Sequence, residues 1–236
     1  MTARVSVVVP TLDEARYLPR LLESLRRQTV AVLEVIVADS GSTDGTREVA
    51  AAAGATVLEG ERKGPGEGRN RGARAAKGDV LLFADADTIL PPRLVEDALA
   101  ALADPGVIGG TTGFAPEEGT RLEGLLFLLA NAYQKAMGAW GFPHNAGYCF
   151  FFRKEAFERL GGIREDMLLN ETHDVAIRSK ALGRFVALPD VVRTSMRRFR
   201  KYGVARTVLQ EYVASTLVYY LTGRTPSDRF RPKPAR

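Results

Sequence analysis

The chain has 236 residues, of which 45% are hydrophobic and 26% charged, with a formal net charge of +5 and a lone cysteine. That length and balance suit one soluble α/β domain, or one with a modest appendage. Cys149 alone excludes a disulfide framework and makes a reducing cytoplasm the expected home. Met1 leads directly into a strand pattern, with no signal peptide visible. "VSVVVP" (5–10) is a β-branched run stopped by Pro10 and reads as a strand buried on both faces. Leu18, Leu21, Leu22 and Leu25 then form one helical stripe. "LEVIVADSGSTDGT" gives a second strand, a polar turn, and a helix expected over 43–53 with Ser42 or Thr43 as N-cap. "ATVLEG" is a third strand, "GEGRNRGARAAKG" a helix, "DVLLFADAD" a fourth strand and "PPRLVEDALAALAD" the helix after it. Strands alternating with helices imply a mostly parallel sheet flanked by helices, joined by right-handed crossovers.

The second half is less regular. "GVIGGTTGF" is a strand, "TRLEGLLFLLANAYQKAMGAW" a long apolar helix, "GYCFFFRKEAFERLGG" a strand running into a short helix, and "ETHDVAIRSKALG" another helix. Glu123, Asn131, Gln134 and Lys135 argue against a membrane span over 122–140. No linker separates the halves. A body over 1–192 and a basic helical segment with a tail over 193–236 are expected. From Arg193 onward eleven Lys and Arg face only Glu211 and Asp228, whereas the first 192 residues hold 22 basic and 26 acidic groups. The basic segment is either a solvated helix face or a contact for an anionic partner such as a membrane surface. Residues 207–221 either pack on the protein or lie on such a surface, and the last ten residues, "SDRFRPKPAR", are expected to stay unpacked.

Asp85 and Asp87 end an apolar strand two residues apart, so in an extended chain both carboxylates point one way. The carboxyl end of a strand is where open α/β sheets bind ligands. Hard oxygen ligands in that arrangement suit Mg²⁺ or Mn²⁺, unless they only cap the next helix. Asp39 ends the second strand, and Thr11, Asp13 and Glu14 end the first. Carboxylates in such a crevice hydrogen-bond base N–H groups and ribose hydroxyls. The G-x-G-x-x-G and G-x-x-x-x-G-K-[ST] phosphate loops are both absent. Arg69, at a helix start, either approaches a phosphate or base or is a surface cation.

"VSVVVPTLDEARYLPRLLESL", "VIVADSGSTDGT", "GRNRGARAAKGDVLLFADADT" and "FRKEAFERLGGIRED" together resemble the GT-A glycosyltransferases of family 2, over residues 5 to about 190. The resemblance implies a Rossmann-like GT-A fold, a nucleotide-sugar donor (UDP-sugar first, GDP-sugar next), a divalent metal and an inverting transfer to a sugar, lipid-linked or small-molecule acceptor. By position it implies that Thr11, Asp13 and Glu14 flank the nucleoside, Asp39 reads the base, Asp85 lies by the ribose and the metal, and Asp87 ligates the metal. Nucleic acid is not an expected partner, since no reader motif occurs. The chain is expected in the cytoplasm or at the inner face of the membrane.

The resemblance fails at one point. The general base implied at the head of the helix beginning "NETHDVAIRSKALG" falls on Thr172, so Glu171, Asp174 and His173, in that order, are the candidates to replace it. A phosphate acceptor such as a polyprenyl phosphate needs no strong base. A binder that has lost catalysis is a further alternative; a nucleotidyltransferase lacks its Gly-rich loop here. His144 in "WGFPHNAGYC" is a backbone-bonded loop residue or a completing metal ligand, and Trp140 and Phe142 line an acceptor pocket or the core.

Overall fold

The computed structural model describes residues 3–167, 169–207 and 213–223. Eight strands form one sheet in the order β3-β2-β1-β4-β7-β6-β8-β5. These are β1 (Val5–Thr11), β2 (Glu34–Asp39), β3 (Thr56–Glu59), β4 (Val80–Ala84), β5 (Thr88–Ile89), β6 (Val107–Pro116), β7 (Cys149–Arg153) and β8 (Arg184–Thr194). Helices α1 (Leu18–Arg26), α2 (Thr46–Ala52), α3 (Pro65–Ala75) and α4 (Leu94–Ala101) fill the first half. The second half carries α5 (Arg121–Ala139), α6 (Lys154–Arg159), α7 (Glu171–Ser179), α8 (Arg197–Tyr202), the single turn α9 (Val204–Arg206) and α10 (Ser215–Thr222).

The expected parallel pairing holds from β3 through β4, and β6 runs parallel to β8. β7 is the exception: it lies antiparallel between β4 and β6, and the two-residue β5 pairs antiparallel with β8. Strand alternation splits the core in two. Val7, Val9 and Phe151 face one side, with α1, α4 and Phe127 of α5; Val8, Phe83, Phe150 and Phe152 face the other, with α3, α6 and Val175 of α7. Each fully buried Phe contributes roughly 1.5–3 kcal/mol through the apolar area it removes from water.

α3 rides unusually close to the sheet. A Cβ on Gly72 would sit 2.3 Å from Cγ1 of Val8, so only glycine lets the helix approach β1 this closely. That approach carries Arg69, one turn earlier, to the strand ends. α2 begins later than the sequence suggests. Its N-cap is Gly45 at φ 87°, not Ser42 or Thr43. Both are engaged elsewhere: the Ser42 hydroxyl accepts from the Asp13 amide (2.8 Å), and the Thr43 amide donates to the Asp13 carboxylate (2.8 Å).

β8 runs to Thr194, so the basic segment expected from residue 193 starts as the end of a core strand. The expectation for 207–221 falls partly, and that for the last ten residues wholly, outside the described residues. Among the described residues no helix is long and apolar enough to cross a membrane.

Candidate active site

A cavity of about 840 Å³ opens at the carboxyl ends of β1, β2 and β4 and is closed by the 144–148 loop, the head of α7 and the end of β8. Thr11, Asp13, Glu14, Arg69, Asp85, Asp87 and Glu171 all line it. Asp13 (φ 56°) and Asn170 (φ 62°) are the non-glycine residues with left-handed backbone among those described, and both line this cavity. Such strain persists only where surrounding contacts over-determine it, and it concentrates at functional sites.

The chain does not stay extended through the aspartate pair. β4 ends at Ala84, and a turn closes from the Thr88 amide to the Asp85 carbonyl (3.1 Å). Both carboxylates still reach the cavity, and each is held by an arginine rather than left unpaired. Arg69 Nη2 donates to Asp85 Oδ1 (2.6 Å), and Arg197 Nε sits 3.1 Å from Asp87 Oδ2. Burial raises the Asp87 pKa; Arg197 opposes that and the neighbouring Asp85 charge adds to it. Among the described residues no three His, Cys, Asp or Glu side chains cluster into a metal cage. Asp85 and Asp87 nonetheless fit a divalent cation that draws its other ligands from a substrate. They are hard oxygen donors, side by side, and their mutual repulsion is what a cation relieves.

Arg197 also donates from Nη2 to Glu14 Oε1 (2.5 Å) and lies 4.6 Å over the Tyr17 ring. Burial pushes the Glu14 carboxyl up to about 7 despite that contact. Arg197 thus ties the basic segment to β1 and β4 at once. Sequence reasoning missed it because no spacing links position 197 to 14 or 87; the arginine excess of the segment was the one available signal.

On the far wall, Arg69 Nη1 donates to Glu171 Oε1 (2.9 Å), so one buried guanidinium bridges Glu171 and Asp85. Burial raises the Glu171 pKa and Arg69 partly offsets it. Arg69 is therefore no surface cation.

Five residues expected at the site stand off the cavity wall. Asp39 is not on the cavity wall. Its carboxylate is fully buried and accepts from the Gly41 amide (3.0 Å), the Ser42 amide (2.9 Å) and the Thr11 hydroxyl (3.1 Å), so it builds the turn that presents Ser40 to the cavity. Asp174 faces away, clamped by Arg178 Nε (2.7 Å) and the Tyr219 hydroxyl (3.1 Å). His173 is also off the wall. Its Nε2 lies 3.1 Å from the Tyr220 hydroxyl, and burial followed by the charge of His144 lowers its pKa to about 3. Trp140 and Phe142 lie outside both cavity and core, 75% and 47% exposed. His144 does line the cavity, but its contacts are the Tyr133 and His173 rings, at 5.3 and 4.4 Å; its buried Nδ1 has no partner among the described residues. Thr172 lines the wall as well, its hydroxyl 3.5 Å from the Asn145 carbonyl, and carries no base.

Residues 6–161 match the profile of Glycosyl transferase family 2. Succinoglycan biosynthesis protein ExoA of Rhizobium meliloti is 32% identical over 204 residues, covering 80% of this chain and 61% of that protein. The mannosyltransferase PcManGT from Pyrobaculum calidifontis, solved with GDP-Man and Mn²⁺, is 27% identical with a TM-score of 0.73 over 92% of this chain and 65% of that one. Glucosyl-3-phosphoglycerate synthase from Mycobacterium tuberculosis, solved with Mn²⁺, UDP and glucosyl-3-phosphoglycerate, is 23% identical with a TM-score of 0.60, covering 92% and 79%, and shares the fold. The chain spans 53% and 61% of two curated relatives it matches. With the profile running from β1 through α6 and the sheet shared with these transferases, the chain belongs to glycosyl transferase family 2 and has the GT-A fold.

Proposed function

We propose that the protein moves a sugar from a nucleoside-diphosphate donor to an acceptor hydroxyl by single, inverting displacement, with a divalent metal at Asp85 and Asp87. UDP-sugar is the first donor to test and GDP-sugar the next. The observation that carries this reading is that Asp85, Asp87 and Glu171 share one cavity, with Asp85 and Glu171 tied through Arg69. Thr11, Asp13, Glu14 and Ser40 form the wall for the nucleoside. Arg69 holds Glu171 and Asp85 at fixed separation, so base and donor stay in register. Glu171 takes the proton from the acceptor hydroxyl, and its raised pKa makes it a stronger base than a solvated carboxylate. Arg197 and Arg198 line the cavity where negative charge builds as the nucleoside diphosphate departs. A bound Mn²⁺ or Mg²⁺ supplies neutralisation of that same charge, and Asp85 and Asp87 are the residues that would hold it.

A second reading has one observation in its favour. Arg62, Lys63, Arg197 and Arg198 all line the cavity, which suits a phosphate acceptor, lipid-linked or small, that is already a nucleophile at neutral pH. Titration calorimetry of UDP, GDP and their sugar conjugates, with and without Mn²⁺, tests the donor site on wild type and Asp87→Ala. Metal-dependent binding of one nucleotide, lost in the variant, is the expected result. Binding of none of them would overturn the donor reading.

A further inference from the structure

α5 is built inside out. Its inward side carries Phe127 but also Asn131 and Gln134. Asn131 Nδ2 donates to the Phe114 carbonyl (2.7 Å), its Oδ1 accepts from the Phe114 amide (3.0 Å), and Gln134 Nε2 donates to the Thr112 carbonyl (2.9 Å). Its outward side is apolar. Leu122, Leu125, Leu129, Tyr133 and Trp140 fall on one helical stripe and are 65%, 51%, 57%, 46% and 75% exposed. The stripe runs the length of a 19-residue helix, about 28 Å at 1.5 Å per residue. α10 adds further apolar surface, with Leu217, Tyr220 and Leu221 all exposed. A row of rings links the two helices by way of the 144–148 loop and α7: Tyr133 to His144 at 5.3 Å, His144 to His173 at 4.4 Å, and His173 to Tyr220 at 5.5 Å. An apolar surface of this extent marks a site of interaction.

Its rim is cationic. Arg121 and Lys135 are exposed on α5 itself. α8 packs against α5 through Phe199 and Phe127, whose rings are 5.6 Å apart, and exposes Arg200 and Lys201 beside it. Lys180 stands 4.8 Å over the Phe142 ring just beyond the end of the helix. Among the described residues two acids lie nearby: Glu123 is held in the capping box with Thr120, and Glu118 is 3.9 Å from Arg200. The balance remains positive. A second copy of the chain docked through this face would set the two cationic rims against each other, which electrostatic complementarity disfavours. An anionic surface with an apolar interior satisfies stripe and rim together, with Tyr133 and Trp140 at the boundary between them.

We propose that the outward face of α5, together with α10, docks on an anionic lipid bilayer, burying the leucine stripe among the acyl chains with the cationic rim at the headgroups. Thr216 of α10 lines the cavity while its neighbour Leu217 is exposed, so docking sets the cavity beside the lipid surface. This inference stands independently of donor and metal.

The protein carries its own probe, because Trp140 is the single tryptophan and lies at the end of the stripe. Its emission is followed while vesicles of phosphatidylcholine, or of phosphatidylcholine and phosphatidylglycerol in equal parts, are added, with co-sedimentation in parallel. The expected result is a blue shift and sedimentation with the anionic vesicles, weakened several-fold by 0.5 M salt (on the order of a Debye length of a few ångströms) and by Leu125→Ser/Leu129→Ser. Both substitutions lie on the exposed face, and circular dichroism of the variant establishes that it folds. Three results would each overturn the proposal: no shift with either vesicle, binding that the double variant leaves intact, or a shift that follows protein concentration without lipid, which would identify a second copy as the occupant.

Discussion

The two walls of the cavity are made in different ways. The wall of Thr11, Asp13, Glu14, Ser40, Asp85 and Asp87 follows the ends of three parallel strands, whose hydrogen-bonded register fixes Thr11 and sets where the turns bearing the others begin. The wall of Glu171, Thr172, Arg197 and the 144–148 loop hangs from helix ends and is fastened by side chains, above all Arg69 and Arg197. The first wall is thus carried by strand ends and the second by side-chain ties, and Arg69 and Arg197 join the two. Substitutions that remove chemistry and leave packing alone can be told apart from those that release the second wall.

The largest effect is expected at Glu171. Glu171→Gln keeps shape and a hydrogen bond to Arg69 but cannot take a proton. Turnover on a hydroxyl acceptor should fall by about 10²–10⁴ while donor affinity stays near wild type. In the wild type, kcat/KM should fall on the acid side with a midpoint above the ordinary carboxylate range, as the raised Glu171 pKa requires. An unchanged rate in the variant would favour the phosphate-acceptor reading. Next is Arg69→Met, which leaves Glu171 and Asp85 without their shared cation. Breaking a buried pair this way costs about 3–5 kcal/mol, read from the urea midpoint at constant slope. Adding Glu171→Gln should restore part of that loss, because one of the stranded charges is gone.

A smaller effect depends on pH. Glu14 titrates near 7 in the folded chain against an ordinary value of 4.5, so the native state holds its proton more tightly than the unfolded state does. Stability from this group is therefore complete below about 4.5 and is lost as pH rises through about 7, by roughly 3 kcal/mol at most. Wild type should lose stability relative to Glu14→Gln across that window. A flat difference between the two would mean that the ion pair with Arg197 outweighs burial.

Much of the strand-borne wall was legible in the sequence, because apolar runs stopped by Asp or by Pro and Thr declare both the strand and its end. Thr11, Asp13, Glu14, Asp85 and Asp87 all reach the cavity. Asp39 misled because a strand-end carboxylate looks alike whether it faces a ligand or caps its own turn; only the amides of Gly41 and Ser42 decide which. On the side-chain-fastened wall, helix α7 was recognisable, but Glu171 and Asp174, three positions apart, lie within about 60° of each other around the helix, so helical position alone does not separate them. Their partners do: Arg69 holds Glu171 on the cavity wall, whereas Arg178 and Tyr219 hold Asp174 off it. Arg197 depends on contacts 183 and 110 positions away, which no local pattern encodes.

α5 sharpens the contrast at the smallest scale, since its attachment reverses the usual rule. An ordinary surface helix is held by its leucines and tolerates changes to its polar side chains. Here Asn131→Leu should cost about 1–3 kcal/mol, because it leaves both backbone groups of Phe114 without their partner. Leu129→Ser, at an exposed position, should stay within about 0.5 kcal/mol. Thermal unfolding of the two variants without lipid tests the ranking. If Leu129→Ser proved the more damaging, the leucine stripe would already be packed against protein in solution. If the ranking holds, the stripe contributes little to folding, and its apolar character has to be explained by what it meets outside the chain.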